Sequence, residues 1–347
     1  DNSGLRRLLG VFEEGAEAGV TRLLTAFYFR QSGGLRDNER TFEFTHKSFG
    51  EYLAARRIVR AIGRIQDELD ARDDDPDKGW DERDALAHWA VVCGASRMDT
   101  YLFKFVIDEV KLQSVEEVRS WQLTVAKLIG FMLRHGMPME RLHLKSFHQA
   151  NEQAQNAEEA LLAALNACAR VTHTLSKVDW PTPEAFGNWF ARLQGQRTSE
   201  EHSVVLQVLS LLDFEKCVLT HRDFSHTNLA GASLKNAHLF SIGINFRDVE
   251  ELFLYGSSLI AANLEDANLT GANLAGATLA GATLTGAKLA GSIIEGSTLT
   301  GAIIEGATLE GANLKKITWN SKTNWQKIQG IETAINVPKA LKQQLRL

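Results

Sequence analysis

The stretch ANLTGANLAGATLAGATLTGAKLAG, residues 267–291, places an apolar residue at every fifth position. The same register holds for 21 successive centres, from Leu219 to Trp319. A small residue precedes most centres by two positions, and glycine follows those from Leu269 to Leu309 by two. This period fits neither a helix nor a flat strand, whose side chains repeat about every 3.6 and every 2 residues. So long a register also argues against a disordered Ala/Gly/Thr linker.

These positions predict a four-sided solenoid. The centre and the small residue two before it point inward, like alternate residues of a strand, and the other three positions turn an outer corner. Four sides of five residues close a coil of about 20 residues, which sets Leu264 under Leu284 and Leu284 under Ile304. Each buried leucine would then contribute roughly 1.5–3 kcal/mol.

The repeat resembles the pentapeptide-repeat family, whose unit is similar to A-(D/N)-L-x-x. The resemblance implies a right-handed quadrilateral β-helix, which we assign to residues 214–320. Residues 321–347 resemble the C-terminal cap of cyanobacterial-type members, and Pro338 would open a final helix there.

One stretch, residues 242–254, departs from the pattern. Ile242, Arg247 and Leu252 stand where a small inward residue is expected, and an arginine does not fit such an interior without a partner. Two interpretations stay open: a distorted coil or bulging corner, and a coincidental register that continues across a loop.

The segment before the repeat has a helical pattern. We expect its helices to stack in pairs into an arm. The predicted helices are residues 5–13, 18–29, 48–66, 82–94, 99–111, 115–135, 151–173, 184–194 and 200–212.

The piece RTFEFTHKSFGEYLAARRIVRAI, residues 40–62, is the most specific part of that segment. Phe42 and Phe44 alternate with polar residues as in a short strand, and Ser48 with Glu51 fits a capping box. The piece resembles the F-x-F-x-H-x-S-F-x-E-Y-L-A-A signature that follows the nucleotide-binding core of NACHT-type (NLR-like, STAND) ATPases. By that resemblance His46 would sense the phosphate of ATP or ADP, held with Mg in the longer parent protein. The alternative is that His46 packs at a strand–helix junction.

The fold class is therefore multidomain α + β. Residues 1–66 would end a NACHT-associated winged-helix-like segment, and residues 67–213 would form the helical arm. The β-helix (214–320) and the helical cap (321–347) follow.

Composition excludes several classes of function. A net charge of −5 gives no pull toward nucleic acid, and no apolar run is long enough to cross a membrane. Three scattered cysteines predict reduced thiols in a cytoplasmic protein. No motif has catalytic or metal-binding spacing, so we expect no enzyme and no cofactor in this chain itself. Because the chain begins at Asp1 without Met, we interpret it as a fragment.

The outer corners of the rod supply the candidate partner-binding residues. Ile293 and Ile303 should point outward, beside Glu295 and Glu305. From Gly256 to Leu314 the only basic residue is Lys288. The acids there are Glu265, Asp266, Glu295, Glu305 and Glu310.

The interpretation that joins these features is a non-catalytic sensor and regulatory region of a bacterial NLR-like ATPase in antiphage defence. Its partners would be a protein ligand, phage-encoded in such systems, and its own NACHT core, and the parent would oligomerise on activation. The alternatives are a pentapeptide-repeat DNA mimic that binds a topoisomerase and a protein-interaction scaffold.

Overall fold

The computed structural model describes residues 29–32, 41–44, 47–194, 204–220, 223–239 and 254–347. The chain divides into two compact units, residues 1–56 and 57–347. The predictions made for residues 5–13, for His46 and for most of 242–254 lie outside the described residues.

A short hairpin and a long helix open the described chain. Strands β1 (Phe29–Ser32) and β2 (Thr41–Phe44) pair antiparallel, with Phe29 opposite Phe44. Residue 29, predicted as the end of a helix, therefore lies in a strand. Helix α1 (Lys47–Asp74) begins one residue before Ser48, so Ser48 lies in the first turn instead of at the cap. It also continues past residue 66, because no helix breaker occurs before Pro76.

Five further helices form the arm, and each lies within a few residues of its predicted range. They are α2 (Glu82–Cys93), α3 (Thr100–Val110), α4 (Val115–His135), α5 (Phe147–Thr172) and α6 (Ala185–Gln194). Side chains at the N-caps accept backbone hydrogen bonds and so fix where α2 to α5 begin. These caps are Asp81, Asp99, Ser114 and Ser146.

Helix α5 is the centre of the arm. Most of its residues from Ala154 to Ala169 are buried, and alanines on several sides let neighbouring helices approach closely. Trp89 of α2 donates from Nε1 to the carbonyl of Ala157, at 2.9 Å, which satisfies a polar atom buried in this core.

The helix predicted for residues 200–212 is wrong in its described part. Only a short 3₁₀ turn forms (Val204–Gln207), and the chain then enters the rod, where Leu212 pairs with Ser176. The apolar run misled the helical interpretation because Leu209, Phe214 and Leu219 already follow the five-residue register as buried centres.

The rod is built as the repeat predicts. Described centres from Leu254 to Leu314 are at most 3% exposed, and the small residues two before the centres are fully buried. Parallel bridges join residues twenty apart, such as Thr283 and Ile303, so one coil takes four units. Glycines two after the centres have φ near +65° to +70°, the left-handed conformation that glycine adopts at little cost.

One coil is longer than the others. Asn228 pairs with Ser258 and His238 with Asn268, thirty residues apart instead of twenty. The chain between Leu239 and Leu254 thus contains ten residues more than a coil needs. An excess of two whole units leaves the register of the flanking coils intact. The two interpretations of residues 242–254 stay predictions, because residues 240–253 are outside the described part of the chain.

The rod also continues beyond residue 320, where the sequence placed its end. Asn324 pairs with Ile303, and Ile335 pairs with Asn313. These last coils contain one or two extra residues each. Counting in strict steps of five therefore did not detect them. After Pro338 a helix forms, α7 (Lys339–Leu345), which buries Leu341 and leaves Ala340 exposed.

Candidate protein-interaction surface

The outward residue before each centre defines the faces of the rod. The Ile293 face carries Asn273, Ile293, Asn313 and Ile335 in successive coils. The Ile303 face carries Asn263, Thr283, Ile303 and Asn324. Because Ile293 and Ile303 are ten residues apart in a coil of twenty, they lie on opposite faces. The four predicted partner-binding residues therefore form two separate patches.

On the Ile293 face an apolar side chain lies beside an ion pair. Ile293 is 37% exposed, so it points outward as predicted. Glu295 Oε1 lies 2.9 Å from Lys315 Nζ in the next coil. The hydrogen bond from Lys315 is the main cause that lowers the pKa of Glu295 below its ordinary value. Asn313 also donates to this carboxylate, at 3.5 Å.

The Ile303 face repeats this arrangement. Ile303 is 40% exposed, and Glu305 Oε1 lies 2.9 Å from Lys327 Nζ. The hydrogen bond from Lys327 lowers the pKa of Glu305, and Asn324 donates to the same carboxylate at 3.4 Å. The rod thus presents the same combination of isoleucine, asparagine and Glu–Lys pair on two opposite sides.

The rod is less acidic at its surface than the sequence suggested. Glu265 also has a lysine partner, because Lys235 Nζ lies 2.9 Å from Glu265 Oε2, and this contact raises the pKa of Lys235. Three of the five acids are thus paired. Counting from Gly256 to Leu314 missed these lysines because they belong to coils outside that range.

A third face is uncharged in its outward column. It carries Asn228, Ser258, Thr278, Thr298 and Thr318 in successive coils. This threonine face offers a neutral reference surface against which the two isoleucine faces can be compared.

Aromatic side chains join the arm to the first coils of the rod. Phe190 of α6 stacks on Phe224, with ring centroids 4.7 Å apart, and Phe186 contacts Phe214 at 4.5 Å. Trp180 donates from Nε1 to the carbonyl of Asp213. A solenoid needs such a cover because its terminal coil otherwise exposes an apolar cross-section. Sequence reasoning missed this junction, although Phe at the centres 214 and 224, in place of Leu, was a visible signal.

A buried carboxylate holds α6 against α5. Glu158 of α5 is 2% exposed; it accepts from Trp189 Nε1 at 3.0 Å and pairs with Arg192. Burial raises the pKa of Glu158 above its ordinary value, while Arg192 and Trp189 oppose that rise. Gln155 adds hydrogen bonds to the carbonyls of Arg192 and Leu193. The end of α6 is therefore fixed by polar contacts inside an otherwise apolar interface.

The cysteines do not supply a nucleophile. Cys93, Cys168 and Cys217 are buried, and burial raises the pKa of Cys168 and Cys217 to about 12. Such thiols stay protonated near neutral pH. Within the described ranges no three His, Cys, Asp or Glu residues are grouped as metal ligands.

No helix in the part of the chain that the structure describes is long and apolar enough to cross a membrane.

This geometry, a four-sided β-helix with ladders of inward leucines, defines the class of the rod. A family model described as pentapeptide repeats matches residues 257–296 and 279–315. The C-terminal region is therefore a pentapeptide-repeat domain, a fold whose members are generally non-enzymatic protein-interaction scaffolds. No curated protein matches the chain.

Solved structures with similarity to the chain include pentapeptide-repeat proteins. One is a protein from the Arabidopsis thaliana thylakoid lumen, which is 29% identical in sequence. The match covers 32% of this chain and 70% of that chain, with a TM-score of 0.28. Another, Rfr23 from the cyanobacterium Cyanothece 51142, has 37% identity over 29% of this chain and 65% of its own, TM-score 0.23. QnrB1, a plasmid-mediated fluoroquinolone resistance protein, has 17% identity over 40% of this chain and 68% of its own, TM-score 0.18. The chain thus spans about two thirds of the length of these relatives.

Proposed function

We propose that this chain is the sensor and regulatory region of a bacterial NACHT-type ATPase in antiphage defence. Its rod binds a phage-encoded protein through the isoleucine faces, and its helical arm couples this binding to the conformation of the ATPase core. The observation that carries the proposal is the aromatic junction between Phe186, Phe190 and the first coils of the rod. It joins the pentapeptide-repeat domain, a scaffold type, to the helical arm by direct packing.

Sensing works in such an arrangement through differential binding. A ligand shifts the ATPase only if it prefers one conformation of the parent over the other. A rod packed onto the arm through buried rings moves with it, so a ligand that contacts both the rod and the core favours one relative position. The His46 signature and its implied ATP or ADP with Mg belong to this proposal, as predictions from the NACHT resemblance.

The DNA-mimic alternative has less support from the rod's charges. Mimicry of a phosphate backbone needs closely spaced, unneutralised negative charges. Glu265, Glu295 and Glu305 each have a lysine partner within 2.9 Å. A scaffold without a specific ligand is the other alternative.

The proposal is tested by capturing partners on this chain from phage-infected and uninfected lysates, with mass spectrometry as readout. We expect one phage-encoded protein, enriched only after infection, and we expect Ile293→Arg or Ile303→Arg to reduce its recovery. The matched control is Thr278→Arg on the threonine face, which adds the same charge at an equivalent position and should leave recovery unchanged.

Two results would overturn the proposal. Recovery of topoisomerase subunits from both lysates favours the mimic, and equal loss with Thr278→Arg argues against a specific face.

For the nucleotide prediction, His46→Ala in the longer parent should weaken ADP binding, with His143→Ala in the arm as the control. Unchanged ADP affinity would favour the packing role of His46.

A further inference from the structure

Helix α1 carries its charges in two separate blocks. Residues 56–64 include four arginines and no acid, whereas residues 67–74 include five acids and one arginine. Seen along the helix, the positive block comes first and the negative block second. This order of charges does not depend on the proposed sensing role. A partner that binds along the whole helix must place negative charge opposite the first block and positive charge opposite the second.

Five of these charges lie on one exposed stripe of the helix. Positions 57, 60, 64, 67, 71 and 74 follow each other at steps of three and four residues, the spacing of one helical face. Arg57, Arg60, Arg64, Asp67 and Asp74 on this stripe are all exposed. The opposite face packs into the arm through buried residues, namely Ile58, Ile62, Ile65 and Leu69.

The chain itself uses little of this charge. Within the described residues, Arg64 lies 3.7 Å from Glu68 and stacks over the ring of Trp80. Arg57, Arg60, Asp67 and Asp74 make no ion pair within that part of the chain. Arg57, Arg60, Asp67 and Asp74 are therefore available for an intermolecular contact.

We propose that two copies of the chain associate through α1, packed antiparallel about a two-fold axis near residues 65 and 66. That axis sets Arg64 of one copy against Asp67 of the other, and Arg57 against Asp74, with each pair occurring twice. A self-complementary patch of this kind is what a two-fold interface requires. A polyanion such as nucleic acid fits less well, because the acidic block that continues the same stripe would repel it.

The size of the stripe sets the character of the association. From residue 57 to residue 74 the helix is about 27 Å long, at about 1.5 Å per residue. A single helix pair of this length buries less than the roughly 1,200–2,000 Å² of a stable complex. The dimer is thus weak and sensitive to salt, since ionic strength near 0.1 M screens exposed charges beyond about 10 Å.

Sedimentation of the whole chain tests the proposal, at concentrations from low micromolar to submillimolar and at low and high salt. At low salt we expect the average mass to rise from 38.4 kDa toward twice that value, and high salt should restore the monomer. The double variants Arg57→Glu/Arg60→Glu and Asp70→Arg/Asp74→Arg should each stay monomeric, because each sets like charges at the two contacts between residues 57 and 74.

Rescue gives the sharper result. The two double variants mixed in equal amounts should associate again, since every contact across the axis is then attractive. All four substitutions in one chain should also restore its self-association. The control is Glu116→Arg/Arg119→Glu on the exposed side of α4, which exchanges charges on another helix and should associate like the wild type. Circular dichroism would show that each variant keeps its helices.

Three outcomes would overturn the proposal. The wild type could stay monomeric at the highest concentration in low salt. Association could persist in both double variants, or fail to return in the mixture. Alternatively, a fluorescent oligonucleotide could bind, lose affinity with Arg57→Glu/Arg60→Glu and gain it with Asp70→Arg/Asp74→Arg, which would assign the stripe to a polyanion.

Discussion

Lys315 Nζ lies 2.9 Å from Glu295 Oε1, and this contact joins two successive coils on the outside of the rod. Both side chains remain partly exposed, so the pair contributes little to stability. We expect Lys315→Gln to change the free energy of unfolding very little, because solvent screens an exposed pair. Leu314→Ala, one residue away but fully buried, should cost about 2–5 kcal/mol. Urea unfolding of the two variants gives the comparison; equal losses would contradict it.

The inner small residue should be the position least tolerant of a larger side chain. Ala282 is fully buried beside the centre columns, so Ala282→Leu must push against packed leucines. Overpacking of this kind costs about 1–3 kcal/mol or more. Ala280→Leu places the same side chain at an outer corner of the same coil and should be nearly neutral.

Thermal unfolding followed by circular dichroism measures this difference. If Ala282→Leu is as stable as Ala280→Leu, the interior of the rod can accommodate a larger side chain and the overpacking argument is wrong.

The rod could be predicted from its sequence because the pattern within each five-residue unit is enough to define its structure. The centre leucine and the small residue two before it point inward, and the glycine two after it forms the corner. Units twenty residues apart have the same pattern and stack on each other. Asn324 and Ile335 escaped prediction because extra residues in the last coils shift the register. The lysine partners of Glu295 and Glu305 escaped because pairing between coils joins residues about twenty apart.

The left-handed corner predicts opposite effects for two substitutions. Ala261 occupies this corner with φ +54°, where a side chain is strained, so Ala261→Gly should stabilise the rod by about 0.5–1 kcal/mol. Gly291 has φ +65°, and a Cβ added there would meet no other atom within 4 Å. Gly291→Ala should therefore cost about 1 kcal/mol through backbone strain alone.

Gly330 provides the matched comparison for Gly291. Its φ is +70°, but a Cβ there would lie 2.7 Å from the backbone nitrogen of Glu310. Gly330→Ala should therefore cost clearly more than Gly291→Ala in chemical unfolding. Equal losses of stability in the two variants would mean that the last coil can shift away from the backbone of Glu310 without cost.

The junction between arm and rod could not be predicted because its contacts join distant parts of the chain. Phe190 and Phe224 are both ordinary apolar residues in their own local patterns, one on a helix face and one at a rod centre. Only the folded chain brings their rings to 4.7 Å. Likewise, Glu158 of α5 contacts Trp189 and Arg192 of α6, more than thirty residues further along the chain.

The buried Glu158 predicts a stability difference that depends on pH. Burial raises the pKa of this carboxyl above its ordinary value of 4.5, so the protonated form is favoured in the folded protein. The stability that it contributes is present below pH 4.5 and is lost as pH rises through the higher folded pKa. Arg192 limits this loss by favouring the charged form. Arg192→Ala should thus destabilise the protein by about 1–3 kcal/mol near neutral pH and by less toward pH 5.

Unfolding free energies from pH 5 to 8 check this expectation. Glu158→Gln keeps an acceptor for Trp189 Nε1 but cannot titrate, so adding Arg192→Ala to it should give a loss that stays constant with pH. The control Arg119→Ala, on the exposed side of α4, should stay close to the wild type at every pH. A loss in Arg192→Ala that is constant across the range would mean that Arg192 stabilises α6 through packing and not through the charge of Glu158.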